Sequence, residues 1–214
     1  MTRSERLDLE PAHLALARTL LAQLERTFGM RGEERLVVAI AGESGSGKSI
    51  SATALAAVLL ARGVQAAVLH QDDYFIRPPR ANHAHRIADL SSVGPHEVRL
   101  ELLASHIADF RAARDVPDAP HADHHIDGFV TRRLDLATAS VLVVEGTYVL
   151  TLEDSDVRIF LEATHEETAE RRRVRNRDVD APIIDRILAI EHAIIALQAR
   201  RADIVVDRHF GIRA

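Results

Sequence analysis

Apolar residues along this chain fall into two kinds of run. Short, nearly unbroken ones occupy Arg35–Ala41, Gln65–His70, Val141–Val144, Val157–Leu161 and Ala202–Val206. Runs of that length with no polar alternation read as strands covered on both faces by other elements. The others recur at helical spacing. Leu14, Ala17, Leu21, Leu24 and Phe28 are followed by Gly29, which predicts an amphipathic helix over about Glu10–Phe28, packed on the outside of the core. Lys48–Arg62 is rich in alanine and leucine and stops at Gly63. Pro95 opens a helix through Leu100, Leu103, Ile107 and Phe110, and Pro182 opens a longer one through Ile184, Ile187, Leu188, Ile194 and Ile195. Five buried strands separated by helices predict an α/β fold with an open five-stranded parallel sheet flanked by helices. The Pro-, His- and Asp-rich stretch at about 114–138 alternates only around Ile126–Leu134 and reads as an inserted loop or short hairpin at the sheet's edge.

One corner between a strand and a helix has a composition of its own. Gly42-Glu43-Ser44-Gly45-Ser46-Gly47-Lys48-Ser49 fits G-x-x-x-x-G-K-[ST] and stands directly after the first strand, with Ile50 continuing into the helix. Glycines permit positive φ and let successive backbone N–H groups point at phosphate oxygens. The helix N-terminus adds its dipole, Lys48 a full positive charge, and Ser49 a hydroxyl suited to Mg²⁺. A chance match to four fixed positions is expected in roughly one chain of this length in a hundred. The corner therefore predicts binding of a nucleoside triphosphate, without separating kinases from switches or motors.

Composition narrows the setting. The 214 residues, 47% of them hydrophobic, suit a single domain spanning 1–214. No cysteine is present, which excludes disulfides and thiolate metal sites. A net charge of -5 argues against broad nucleic-acid binding. No apolar run reaches membrane length and the first residues lack a signal-peptide core, so a cytoplasmic protein with no membrane partner is expected. Oligomeric state is not legible.

Three further stretches bear on chemistry. The second strand runs into His70-Gln71-Asp72-Asp73-Tyr74-Phe75, which in a parallel sheet lies on the same rim as the glycine corner. Asp72 is the candidate base for an attacking hydroxyl and a candidate metal ligand, with Asp73 and Tyr74 as acceptor contacts. The third strand ends at Glu145-Gly146, where Glu145 suits Mg²⁺ and Gly146 leaves space for a ligand. Five arginines fall within the seven residues 171–177 of a chain that is acidic overall. Such crowding predicts a mobile lid over about 164–181 that closes arginines over the triphosphate. His121, His124 and His125, with Asp123 and Asp127, match no metal-ligand spacing; they read as solvated loop or acceptor contact. A guanine-reading Asn/Thr-Lys-x-Asp near a late strand is missing, which counts against a GTP switch.

Taken in order, the glycine corner, Gln71-Asp72-Asp73-Tyr74-Phe75, Glu145-Gly146 and the arginine segment resemble the uridine kinase and phosphoribulokinase family of P-loop kinases. The resemblance spans about Arg35–Asp207. It implies a P-loop NTPase fold and ATP- and Mg²⁺-dependent phosphorylation of a hydroxyl on a small molecule, a nucleoside first of all. Another alcohol, of pantothenate, sugar phosphate or glycerate type, is the alternative. By the same resemblance the catalytic aspartate falls on Asp72, the phosphate loop on Gly42–Ser49, the acidic residue on Glu145 and the lid pattern on Arg171, Arg172 and Arg175. It implies Arg171 and Arg175 for the transferred group, Arg171 and Arg172 for the nucleotide, and Arg175 also for the acceptor. Asp73 stands where uridine kinases carry serine.

Overall fold

The computed structural model describes residues 9–28, 35–164, 167 and 182–213. Its main sheet has six strands. In spatial order these are β2 (Ala66–His70), β5 (Val141–Gly146), β1 (Leu36–Gly42), β6 (Val157–Glu162), β7 (Ile204–Asp207) and β8 (Ile212–Arg213). The first five run parallel, as the apolar runs predict, and β8 is a short antiparallel addition to β7 that its two residues could not announce.

Alternation along β1 divides the core into two layers. Val37, Ala39 and Ala41 face one side with Leu142 and Val144, against Leu103, Ile107 and Phe110 of helix α4 (Leu100–Arg111). Val38 and Ile40 face the other with Val143 and Ile159. There they meet Leu20 and Leu24 of α1 (Pro11–Phe28) and Leu55 and Leu59 of α2 (Lys48–Ala61). Both faces of the central strands are thus dry, which is why they carry no polar alternation.

Three local features differ from the sequence reading. Pro95 opens a separate 3-10 turn, Pro95–Glu97, rather than the helix; Val98 is extended, and α4 starts only at Leu100. A helix not predicted at all, α3 (Pro79–Ala88), follows Pro78; Asn82 is its one buried residue, so it has no apolar stripe to recognise. The inserted segment does form a hairpin, β3 (Val116–Asp123) with β4 (Gly128–Leu134), but as a sheet of its own rather than at the edge of the main one. Val116, Ala119 and Leu134 dock it on the α4 layer. The last long helix is α5 (Pro182–Ile195), with Ile184, Ile187, Leu188 and Ile195 buried.

Leu20 is fully enclosed, whereas Leu60 is 56% exposed. Leu20→Ala should therefore lower unfolding free energy in urea titrations by about 2–5 kcal/mol, and Leu60→Ala by less than about 0.5 kcal/mol.

Candidate active site

Where β1 meets α2 the backbone folds back over itself. A Cβ on Gly42 would lie 2.7 Å from Ser46 Oγ and 2.8 Å from the Leu161 carbonyl, so no other residue fits there. Gly47, the residue before α2, sits at φ 97°, a left-handed conformation that side chains resist. The turn is closed by the Ser46 N–H donating to the Glu43 carbonyl (3.1 Å). Lys48 Nζ donates to the same carbonyl at 2.9 Å, which holds the ammonium against the loop.

Facing that loop is the end of β5. The register sets Ile40 and His70 beside Glu145, and Ala41 beside Gly146. Glu145, almost wholly buried, accepts the Ser49 hydroxyl on Oε1 (3.0 Å), and His70 Nδ1 lies 2.7 Å from the same oxygen. Burial alone would raise the Glu145 carboxyl, but the His70 hydrogen bond and charge, then Lys48 and Ser49, outweigh it and hold it below the ordinary carboxylate value. Burial works on His70 in the opposite sense and is likewise overcome by Glu145, with Asp73 adding, so His70 is raised.

A cavity of about 270 Å³ opens between these elements and α3 and α5. The phosphate-loop side contributes Ser44, Gly45, Gly47, Lys48, Ser49 and Ile50; β5 and its exit contribute Glu145 and Thr147. Asp72, in the 3-10 turn after β2, and Phe75 line it too, with His83 and Arg86 from α3 and Ile184, Ile187, Leu188 and Glu191 from α5. Lys48, Ser49, Asp72 and Glu145, four residues singled out in the sequence, thus share one hollow. Gly42, Glu43 and Ser46 do not line it: Gly42 and Ser46 form the tightly folded base of the loop, and the buried Glu43 has its Oε1 2.7 Å from His192 Nδ1.

Two residues expected to touch the acceptor do not line this cavity. Asp73 is buried and tied to the hairpin by Arg132 (2.9 Å), His121 (3.0 Å) and the Ala122 N–H (2.9 Å). Tyr74 lies in the core with its hydroxyl 2.7 Å from His106 Nδ1. The space expected over Gly146 is also filled: a Cβ there would sit 2.3 Å from Gln71 Cβ, and Gln71 Oε1 accepts the Tyr148 N–H (2.7 Å). Of the histidine-rich segment, His121 joins the Asp73 tie, Asp123 accepts the His125 N–H (2.8 Å), and Asp127 accepts the Arg80 N–H (2.8 Å). Among the described residues no three His, Asp or Glu side chains gather as a metal site. Arg171, Arg172 and Arg175 lie outside the described residues, as does most of the expected lid.

Sequence reasoning passed over a second charged group. Arg86 reaches Glu97 through Nε (2.5 Å) and Nη2 (2.9 Å), and Nη2 also pairs with Glu191 (3.0 Å). Glu97 is further held by Asn82 Nδ2 (2.9 Å) and the Gly94 N–H (2.8 Å). Burial raises the Glu191 carboxyl above the ordinary value; Arg86 and Lys48 oppose this, and Glu97 and Asp72 add to it. His70 could have been found as the strand-terminal neighbour of Asp72, but nothing local marks Arg86 or Glu191.

The arrangement can hold a triphosphate by backbone amides and Lys48, with a carboxylate, Asp72, across the hollow. Ser49 and Glu145 offer two hard oxygen donors, a set suited to Mg²⁺, which usually takes few protein ligands and fills the rest with phosphate oxygens and water.

The profile of the Phosphoribulokinase / Uridine kinase family matches residues 37–210. A bifunctional alpha-galactosidase/sucrose kinase of Mediterraneibacter gnavus is 32% identical over 203 residues, 88% of this chain but only 22% of that longer protein. A uridine kinase of Ureaplasma urealyticum is 24% identical over 152 residues, 69% of this chain and 72% of that one. A solved structure from Silicibacter sp. TM1040, provisionally named a fructose transport system kinase, superposes with a TM-score of 0.60 at 23% identity, covering 88% of this chain and 92% of that one. That likeness establishes the fold, in agreement with the predicted α/β architecture.

Gly146→Ala should force Gln71 off the end of β5. Thermal unfolding is expected to register a loss of about 1–3 kcal/mol or more.

Proposed function

The chain belongs to the Phosphoribulokinase / Uridine kinase family of P-loop kinases, and on that premise we propose that it uses ATP to phosphorylate a hydroxyl of a sugar or related polyol. The observation that carries the choice of acceptor is the cavity wall opposite the phosphate loop. Asp72, His83, Arg86 and Glu191 line it together with the apolar Ile184, Ile187 and Leu188 and the ring of Phe75. Charged donors and acceptors, from the exposed Asp72 and His83 to the buried Glu191, suit a molecule whose surface is mostly hydroxyl. A pyrimidine base would ask for flat aromatic faces to stack on; Phe75 offers one, and Tyr74, the ring nearest in sequence, is turned into the core. The relative named in part as a sucrose kinase supports the same choice.

In the reaction the acceptor oxygen bonds to the γ-phosphorus while the bond from that phosphorus to the bridging oxygen of ADP breaks. The hydroxyl proton passes to Asp72 and from there to solvent. Transition states of this kind are loose, so holding the hydroxyl in line is most of what the chain supplies. Lys48 and the loop amides stabilise charge on the phosphates. Mg²⁺, when bound, neutralises phosphate charge, and Ser49 with Glu145 would hold it. His70 keeps the Glu145 side chain in place.

A nucleoside acceptor is the second reading, favoured by the uridine kinase relative. ADP release measured with D-fructose, sucrose, D-glycerate, uridine and cytidine separates the two. Turnover with a sugar or glycerate well above that with either nucleoside is expected; turnover confined to uridine and cytidine contradicts the polyol reading and leaves the chemistry standing. Asp72→Asn should lower kcat by about 10²–10⁴-fold with ATP affinity within about threefold of wild type, and an unchanged kcat removes Asp72 as the base.

A further inference from the structure

Two charged side chains of the acceptor wall, Arg86 and Glu191, have capacity left over. Arg86 commits Nε and Nη2 to Glu97 and Glu191, and among the described residues Nη1 has no partner. Glu191 commits Oε1 to Arg86, and its Oε2 has no partner among them either. Outside the cavity lining, the buried Tyr148 hydroxyl has no hydrogen bond among the described residues and feels the charges of Glu191, Arg86 and Glu97.

The place of these groups matters as much as their number. Arg86 and Glu191 both line the cavity, and Glu191 lies within electrostatic reach of Lys48 and Asp72, the two residues nearest the transfer chemistry. The pair is also rigid. Glu97, Asn82 and the Gly94 N–H lock the guanidinium from behind, and it lies 5.6 Å from the centroid of the Phe75 ring, which lines the same hollow. A guanidinium edge with two free N–H donors beside a carboxylate oxygen, next to an aromatic face, is complementary to two adjacent hydroxyls on a carbon framework: the oxygens accept from Arg86, the protons go to Glu191, and the C–H surface rests on Phe75.

We propose that Arg86 and Glu191 are specificity-determining residues that clamp a diol of the acceptor adjacent to the hydroxyl served by Asp72. The inference rests on reading the cavity as the acceptor site of a kinase. It does not depend on whether the acceptor is a sugar or a nucleoside, since the ribose of a nucleoside carries such a diol as well; glycerate, with two hydroxyls in all, has none to spare.

The experiment uses the full chain. ADP release with D-fructose, sucrose, D-glycerate and uridine first identifies which probe the wild type turns over. With that probe, Glu191→Gln, which keeps shape and removes charge, should raise the acceptor KM at least about tenfold while the ATP KM stays within about threefold. Arg86→Lys should do the same, since an ammonium cannot reproduce the fork. A deoxy analogue of the probe, lacking one hydroxyl beside the phosphorylated one, should lose at least about tenfold in kcat/KM on the wild type and little on Glu191→Gln, because the partner is already gone. A merely structural role for the pair predicts instead that the variants lower the melting temperature and that the deoxy penalty is equal in wild type and variant. That result, or an unchanged acceptor KM, overturns the clamp while leaving the kinase reading intact. Turnover of D-glycerate alone, which has no diol beyond the phosphorylated hydroxyl, also overturns the clamp, and wild-type protein that turns over none of the four probes overturns both.

Discussion

Strand β5 is hydrogen-bonded in parallel to β1 on one side and β2 on the other, and the position of the whole site follows from that register. Ala41 lies beside Gly146, and both Ile40 and His70 lie beside Glu145. Three chain segments far apart in sequence therefore leave the sheet on one rim: the phosphate loop, the Asp72 turn and the Glu145 end. Parallel strands make this unavoidable, since their carboxyl ends must coincide. The close packing of Gln71 on Gly146 then fixes how the Asp72 turn departs, because it leaves no room for even one methyl group between them.

Two buried carboxyl groups in this hollow have their pKa values shifted in opposite directions. Glu145 is stabilised as an anion by His70, Lys48 and Ser49 despite its burial, which suits a residue facing a cation. Glu191 is driven upward by burial and by Glu97 and Asp72, with Arg86 only partly compensating, which suits a residue that gains from hydroxyl protons. The divergence separates a donor half of the site, built on strands and the phosphate loop, from an acceptor half, built on α3 and α5. The Asp73 tie to Arg132 and His121 joins the hairpin to the turn that carries Asp72, so the acceptor half is braced from a second direction.

The donor half was legible because its chemistry is local. Gly42–Ser49 carries its meaning in consecutive residues, and a buried parallel strand announces itself as an unbroken apolar run. The acceptor half depends on pairings that no window of sequence contains. Arg86 meets Glu97 and Glu191 only after α3, the Pro95 turn and α5 have packed together, and α3 has no apolar stripe by which to be predicted. Asp73 and Tyr74 were assigned to the acceptor by adjacency to Asp72, yet in a 3-10 turn successive side chains diverge, and theirs went to the hairpin and the core. Gly146 was rightly singled out, though the space it leaves is taken by Gln71 rather than by a ligand.

The most direct measurement of the account is a crystal structure of the full chain with Mg²⁺, a non-hydrolysable ATP analogue and an acceptor. The account predicts the terminal phosphate cradled by the Gly42–Ser49 loop and Lys48, with an acceptor hydroxyl between that phosphate and Asp72 and its neighbouring hydroxyls on Arg86 and Glu191. A triphosphate bound elsewhere, or an acceptor seated out of reach of Asp72, would contradict it.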